Sequence, residues 1–240
     1  MALSSAEQEM RVPRPRIAIV DYRKGNLKSV ERGLAHVGGN AFIADDPHEI
    51  EQADAIVLPG VGAFADAAAT MHALGQISVL RERIDAGVPF LGICLGLHLM
   101  YTAGTEGIDN AISSGENAHG LAVLPGVVSV MPRCDSEGAC YKIPHVGWNT
   151  IDYDVTVVSP LLAGIPSGEY FYFTHSYCAP DTPSTCATTT HSVAFPSVVA
   201  LGDTAFGVQF HPEKSSDAGA VLLRNFVAIA QCIQEGVSIH

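Results

Sequence analysis

The chain has 240 residues, enough for one large domain or two small ones with a substantial core. Its 13 Lys and Arg against 25 Asp and Glu give a net charge of -12 and no basic cluster, which argues against a protein that grips a nucleic-acid backbone. The opening stretch MALSSAEQEMRVPRPR lacks the apolar core of a signal peptide, and no later run is long enough to span a membrane.

Residues 1–15 read as a mobile leader ahead of a single domain over 16–240. RIAIVD (16–21) is a short apolar run of the kind found in buried parallel strands. YRKGN follows as a loop, and Asn26 is placed to cap a helix that Gly38-Gly39 stops. AFIA and ADAIVLP (53–59) are predicted as the next two strands, the second ending in the glycine loop GVGAF. Phe64, Ala67, Ala68, Met71 and Leu74 then recur at helical spacing, and a further helix is expected over 77–86. VPFLGI (88–93) is a strand running into Cys94, and LGLHLMY begins another helix. Alternating strand, loop and helix predicts a mostly parallel sheet covered on both faces.

Beyond about residue 120 the pattern becomes β-rich: LAVLPGVVSVMP, HVGWNTIDY, EYFYFTHSYC, SVAFPSVVAL and TAFGVQF. Residues 105–120 and 179–190 are polar and read as surface loops. The last helix carries Leu222, Phe226, Ile229 and Ile233 on one face. Cysteines 94, 134, 140, 178, 186 and 232 form no CxxC pair and no framework spacing. They read as reduced thiols of a cytoplasmic protein, with Cys134–Cys140 the one pairing left open.

Gly92-Ile93-Cys94-Leu95-Gly96 has the form G-x-C-x-G, the cysteine counterpart of a nucleophile elbow. Such a strand–turn–helix is tight and strained, so a side chain at either flank collides with backbone. It exposes the sulfur at a strand's carboxyl end and a helix N-terminus, where thiolate is favoured and the Leu95 N–H faces an oxyanion. Alone, the motif fits a buried cysteine between two glycines equally well.

A cysteine nucleophile needs a base. In GVQFHPEKS, His211 stands where an apolar strand ends, and Glu213 two positions on projects to the same side. The carboxylate can then fix the imidazole tautomer, as in hydrolase triads. His98, four residues after Cys94, is the rival base, but it sits a turn down the same helix and is poorly aimed. Gly60-Val61-Gly62, at a strand end, can offer backbone N–H groups to an oxyanion. Gly60, Gly62 and Ala65 also fit a dinucleotide fingerprint, but the acidic residue expected later falls at Asp85, inside a predicted helix.

GICLG with a distant FHPE resembles the class I (triad) glutamine amidotransferases. The closer resemblance is to the glutaminase subunits of imidazole glycerol phosphate synthase. It is carried by IVDYRKGNL, LPGVGAF, GICLGLHLM, GLAVLPGVV, IPHVGWN, EYFYFTHSY and GVQFHPEKS, in the family's order over residues 17–215. The resemblance implies a flavodoxin-like α/β fold and a Cys94–His211–Glu213 triad that hydrolyses glutamine to glutamate and ammonia. It implies an oxyanion hole from Val61 and Leu95, and substrate contacts from Gly60, Gly62, His98, Ser176 and Tyr177. It calls for no cofactor and no metal. Asn26, Trp148, Tyr172 and Lys214 would face a partner, a separate (β/α)₈ cyclase that takes up the ammonia through a channel in a heterodimer.

Two positions depart from that family pattern. His98 stands where glutamine is usual, and Arg23 where glycine is usual. The alternatives that remain are another class I amidotransferase subunit, or a scaffold of the same fold that does not hydrolyse glutamine.

Overall fold

A computed structural model describes residues 14–107, 118–156 and 159–238. In chain order its regular elements begin with β1 (Arg16–Val20), α1 (Leu27–His36), β2 (Asn40–Ala44), α2 (Pro47–Glu51) and β3 (Ala55–Gly60). They continue with α3 (Phe64–Ala73), α4 (Gln76–Asp85), β4 (Phe90–Cys94), α5 (Leu95–Met100) and β5 (Tyr101–Gly104). Next come β6 (Ala118–His119), β7 (Leu124–Val130), β8 (His145–Ile151), β9 (Glu169–His175) and β10 (Tyr177–Cys178). The last are β11 (Thr185–Thr190), β12 (Ala194–Leu201), β13 (Ala205–Val208) and α6 (Ser216–Glu235).

The main sheet has the order β11-β12-β13-β4-β3-β1-β2. Its five strands from β13 to β2 run parallel, and β12 and β11 continue it antiparallel. The parallel strands β1, β3 and β4 are apolar along almost their whole length because both faces are covered. One apolar cluster joins α1 and α6 to one face through Leu34, Leu222 and Phe226. The other joins α3 and α4 to the opposite face through Phe64, Met71 and Leu80. A second sheet, β10-β7-β5-β6, and the antiparallel ribbon β8-β9 hold the strands that lie outside the main sheet.

Several expectations change. Residues 179–190 are not all loop, because Thr185–Thr190 forms β11, the edge strand of the main sheet. Its run of threonines looked polar, yet an edge strand keeps one side in water and β-branched threonine suits it. The helix after Cys94 lasts only six residues, since Tyr101 passes directly into β5 and is buried there. Asn26 does stand at the start of α1, but its side chain makes no capping hydrogen bond; only its carbonyl accepts, from Ser29 and Val30. Gly39 closes that helix as expected, its N–H donating to the Leu34 carbonyl at 2.8 Å.

Not all six cysteines are reduced. Cys134 and Cys140 form a disulfide across an isolated antiparallel bridge, while Cys94, Cys178, Cys186 and Cys232 are free. The pair lies in a hairpin that brings the two residues opposite each other, a proximity that their spacing alone does not require. Of the leader expected over 1–15, all but Arg14 and Pro15 lie outside the described residues, as does most of the 105–120 loop.

Candidate active site

Cys94 is the last residue of β4 and the residue preceding α5, with φ 54° and ψ -105°. A non-glycine residue at positive φ is strained, and the surrounding packing has to hold it there. The flanking glycines show how. A Cβ on Gly92 would come within 2.7 Å of the Gly96 carbonyl group, and one on Gly96 would fall on the Leu58 carbonyl oxygen. Both obstacles are backbone, so neither can yield cheaply.

The sulfur opens onto a cavity of about 280 Å³ at the carboxyl ends of the parallel strands. Val61, Gly62, Leu95, His98, Ser176 and Tyr177 line it. Gly60 sits just below, paired in register with Cys94 across β3 and β4. Gly62 holds φ 103°, a backbone open to glycine, and Leu95 begins α5.

His211 follows β13 and is buried. Its N–H donates to the Tyr172 carbonyl at 2.9 Å, and its own carbonyl accepts from Ser215 Oγ at 2.7 Å. Ser215 Oγ in turn accepts the Tyr172 N–H at 3.0 Å, so one serine ties the His211 turn to β9. The ring Nδ1 lies 2.9 Å from Glu213 Oε1, with both side chains almost fully buried. Burial pulls the His211 pKa down. Nearby Cys94 and the hydrogen-bonded Glu213 outweigh it and lift the pKa to about 9, while Nε2 itself makes no hydrogen bond among the described residues. The fold thus brings the His211–Glu213 pair close to Cys94, more than a hundred residues away in the chain.

His98 is not placed as a base for Cys94. Its Nε2 is engaged with Gln209 Oε1 at 2.7 Å, and burial, opposed by that bond, lowers its pKa to about 4. The imidazole is therefore neutral at ordinary pH.

Sequence reasoning missed three contributors. Gln209, fully buried, points Nε2 at the Cys94 sulfur from 3.9 Å; a polar side chain closing an apolar strand was its signal. Glu106 lines the cavity, its carboxyl pKa raised by burial and partly lowered by the Phe64 N–H; it lay in a stretch that read as surface loop. His175, also in the wall, joins a directed chain: Asn149 Nδ2 donates to His145 Nε2 (3.3 Å), His145 Nδ1 to His175 Nε2 (3.0 Å), and His175 Nδ1 to the Tyr177 carbonyl (2.8 Å). Burial holds both rings neutral, His145 at about 4 and His175 at about 3. The chain fixes the strand end that presents Ser176 and Tyr177.

Of the residues assigned to a partner surface, Trp148 is half exposed and meets the Tyr172 ring edge-on at 6.1 Å. Lys214 Nζ lies 5.9 Å over the same ring. These three form one patch, and Asn26, exposed at the start of α1, is not linked to it by such contacts. Arg23 takes the positive φ, 66°, that glycine would adopt freely, its N–H bonded to Asp21 Oδ1 at 2.6 Å. Among the described residues no group of three or more His, Cys, Asp or Glu could hold a metal ion, and no helix is long and apolar enough to cross a membrane.

The family model for class-I glutamine amidotransferases matches residues 18–230. The chain belongs to that family. This amidotransferase is 43% identical over 212 residues to the imidazole glycerol phosphate synthase subunit HisH of Moorella thermoacetica, covering 88% of this chain and 93% of the relative. The HisH subunit of Thermosynechococcus vestitus is 42% identical over 219 residues, covering 90% and 98%. Among solved structures, one described as a glutamine amidotransferase superposes with a TM-score of 0.64 at 17% identity, covering 89% of this chain and 98% of that one. That likeness speaks to the fold of this amidotransferase alone.

Proposed function

We propose that this chain is the glutaminase subunit of an imidazole glycerol phosphate synthase, acting in histidine biosynthesis. The observation that carries the reading is the strained Cys94 at a cavity wall with a His211–Glu213 pair behind it. The HisH names of the most similar relatives supply the synthase.

Glutamine binds with its carboxamide at the sulfur. Glu106, the carboxylate of the cavity wall, suits the α-ammonium, and the Ser176–Tyr177 strand end suits the rest of the amino-acid backbone. Cys94 Sγ attacks the carboxamide carbon as the thiolate, its proton already held by His211, whose pKa near 9 keeps the imidazole charged at neutral pH. Negative charge grows on the carbonyl oxygen, where the N–H groups of Val61 and Leu95 receive it. The intermediate collapses as the C–N bond breaks and His211 protonates the leaving nitrogen, giving ammonia and a thioester. Water then attacks the thioester carbon, His211 takes its proton, and glutamate leaves. Glu213 keeps Nδ1 protonated so that Nε2 faces the sulfur throughout.

The ammonia passes to a (β/α)₈ cyclase bound as a heterodimer against the Trp148–Tyr172–Lys214 patch and Asn26. There it is used to make imidazole glycerol phosphate and an aminoimidazole carboxamide ribotide in the cytoplasm. The test is co-purification with a cyclase subunit followed by glutamate release from the complex. Wild-type complex is expected to release glutamate, faster when the cyclase ligand is present, and Cys94→Ala complex to release none. Equal release from both would remove the nucleophile assignment. His211→Ala should abolish glutamine-dependent synthesis yet spare synthesis fed with ammonium salts; joint loss would end the channel picture.

A further inference from the structure

Gln209 is fully buried between the nucleophile and the wall of the cavity, and both ends of its amide are used. Nε2 lies 3.9 Å from Cys94 Sγ, and Oε1 lies 2.7 Å from His98 Nε2. The strand around it is fixed, since the Gln209 N–H donates to the Ser197 carbonyl at 3.0 Å. An amide oxygen can only accept, so His98 Nε2 carries the proton at that contact. A neutral imidazole has one donor and one acceptor, which leaves Nδ1 as a bare lone pair. His98 lines the cavity, and Nδ1 is the nitrogen left to serve it.

The chemistry of that lone pair is selective. A carboxamide brings two N–H donors to it. A carboxylate brings none and meets it with like charge density, so the glutamate product is disfavoured where glutamine is held. A site built around one hydrogen bond discriminates strongly against the analogue that lacks it. We infer that Gln209 is a positioning residue for amide selection: one end steadies the Cys94 sulfur, and the other locks His98 as an acceptor for the substrate's carboxamide N–H. This rests on the glutaminase reading above and deepens it. It also explains how histidine serves at position 98 where glutamine is usual: the partner side chain removes the imidazole's freedom to present a donor.

The ionisable groups around His98 bear on the test. Cys94 is on its own elbow, His175 ends β9, and Glu106 stands in the same cavity wall. Asp66 and His72 on the neighbouring α3 lie on its exposed side. None of these sits against Nε2 as Gln209 does.

The experiment uses the complex with its cyclase and reads KM and kcat for glutamine from pH 6 to 8, with glutamate as competing inhibitor. Gln209→Glu sets a carboxylate against Nε2 and favours the imidazolium, whose Nδ1–H cannot accept. KM for glutamine is expected to rise at least tenfold as pH falls across that range, and inhibition by glutamate to strengthen. The double variant Gln209→Glu/His98→Gln has no imidazole to titrate and should lose this pH dependence. Gln209→Met, of similar volume and apolar, serves if the carboxylate variant does not assemble; it should raise KM about tenfold with no pH dependence. A pH limb that survives His98→Gln overturns the inference, as does an unchanged KM in Gln209→Met. Absence of glutamate release from the wild-type complex would instead overturn the glutaminase reading, so the two failures are distinguishable.

Discussion

Gly60 and Cys94 stand directly opposite each other, paired in register at the carboxyl ends of neighbouring parallel strands. The pairing sets the glycine loop beside the sulfur, where the proposed mechanism uses the Val61 and Leu95 N–H groups on one oxygen. It also leaves no room above Gly60. A Cβ there would land on the Tyr22 hydroxyl and come within 3.0 Å of Leu95 Cβ.

Gly60→Ala is therefore expected to displace the oxyanion loop while the rest of the fold persists. Glutamine-dependent turnover should drop about a hundredfold, the scale of losing an oxyanion donor. Synthesis from ammonium salts by the same complex should be unchanged. A variant with full glutaminase rate would show that this loop does not carry the oxyanion.

In the proposed mechanism protonated His211 is the acid that releases ammonia, and its pKa is held at about 9 against the pull of burial by Cys94 and Glu213. The kcat for glutamine hydrolysis should fall as pH rises through about 9. Glu213→Gln removes one of the charges that hold the proton, so this limb should move to lower pH. The same shift bears on stability. A histidine raised above its unfolded value of about 6.5 stabilises fully below that pH and loses the contribution as pH rises through about 9. The Tm advantage of wild type over His211→Ala should shrink over that window, and a limb unmoved in Glu213→Gln would contradict the pairing.

Tyr22 is fully buried with a hydroxyl that finds no partner among the described residues, and its pKa is pushed up by burial and then by Cys94 and Asp21. A buried donor without a partner is destabilising by about 1–3 kcal/mol, and phenylalanine removes it without leaving a void. Tyr22→Phe should raise the unfolding free energy of the isolated chain by about 1 kcal/mol, read as a higher denaturation midpoint. A lowered midpoint would mean that the hydroxyl has a partner after all.

Trp148 is 51% exposed and meets the Tyr172 ring edge-on. Trp148→Ala should change the stability of the isolated chain by no more than about 0.5 kcal/mol, as for ordinary surface positions. If the patch receives the cyclase, the same change should weaken the complex by about 2 kcal/mol in a titration, the scale of an aromatic anchor. Undiminished affinity would move the interface elsewhere.

Some of this molecule is written in short stretches of chain. Ile17, Ile19, Val57 and Leu91 announce buried parallel strands because a strand covered on both faces cannot afford a polar side. GICLG announces its elbow because the steric demand falls on residues two apart. His211 and Glu213 pair across two positions for the same reason. Where such local rules compete with tertiary contacts they mislead: Thr185–Thr190 looked like loop until β12 paired with it, and the helix begun at Leu95 ends where Tyr101 joins β7.

By itself the sequence determined the alternating α/β layers, the strained cysteine and the histidine–glutamate pair, since each depends on sterics or periodicity among near neighbours. Only the folded chain decided that Gln209 bridges Cys94 and His98, that Glu106 enters the cavity wall, and that Cys134 meets Cys140. Those meetings follow from sheet register and loop paths that bring distant segments together. A side chain's neighbours across such a distance leave no mark on the residues beside it in the chain.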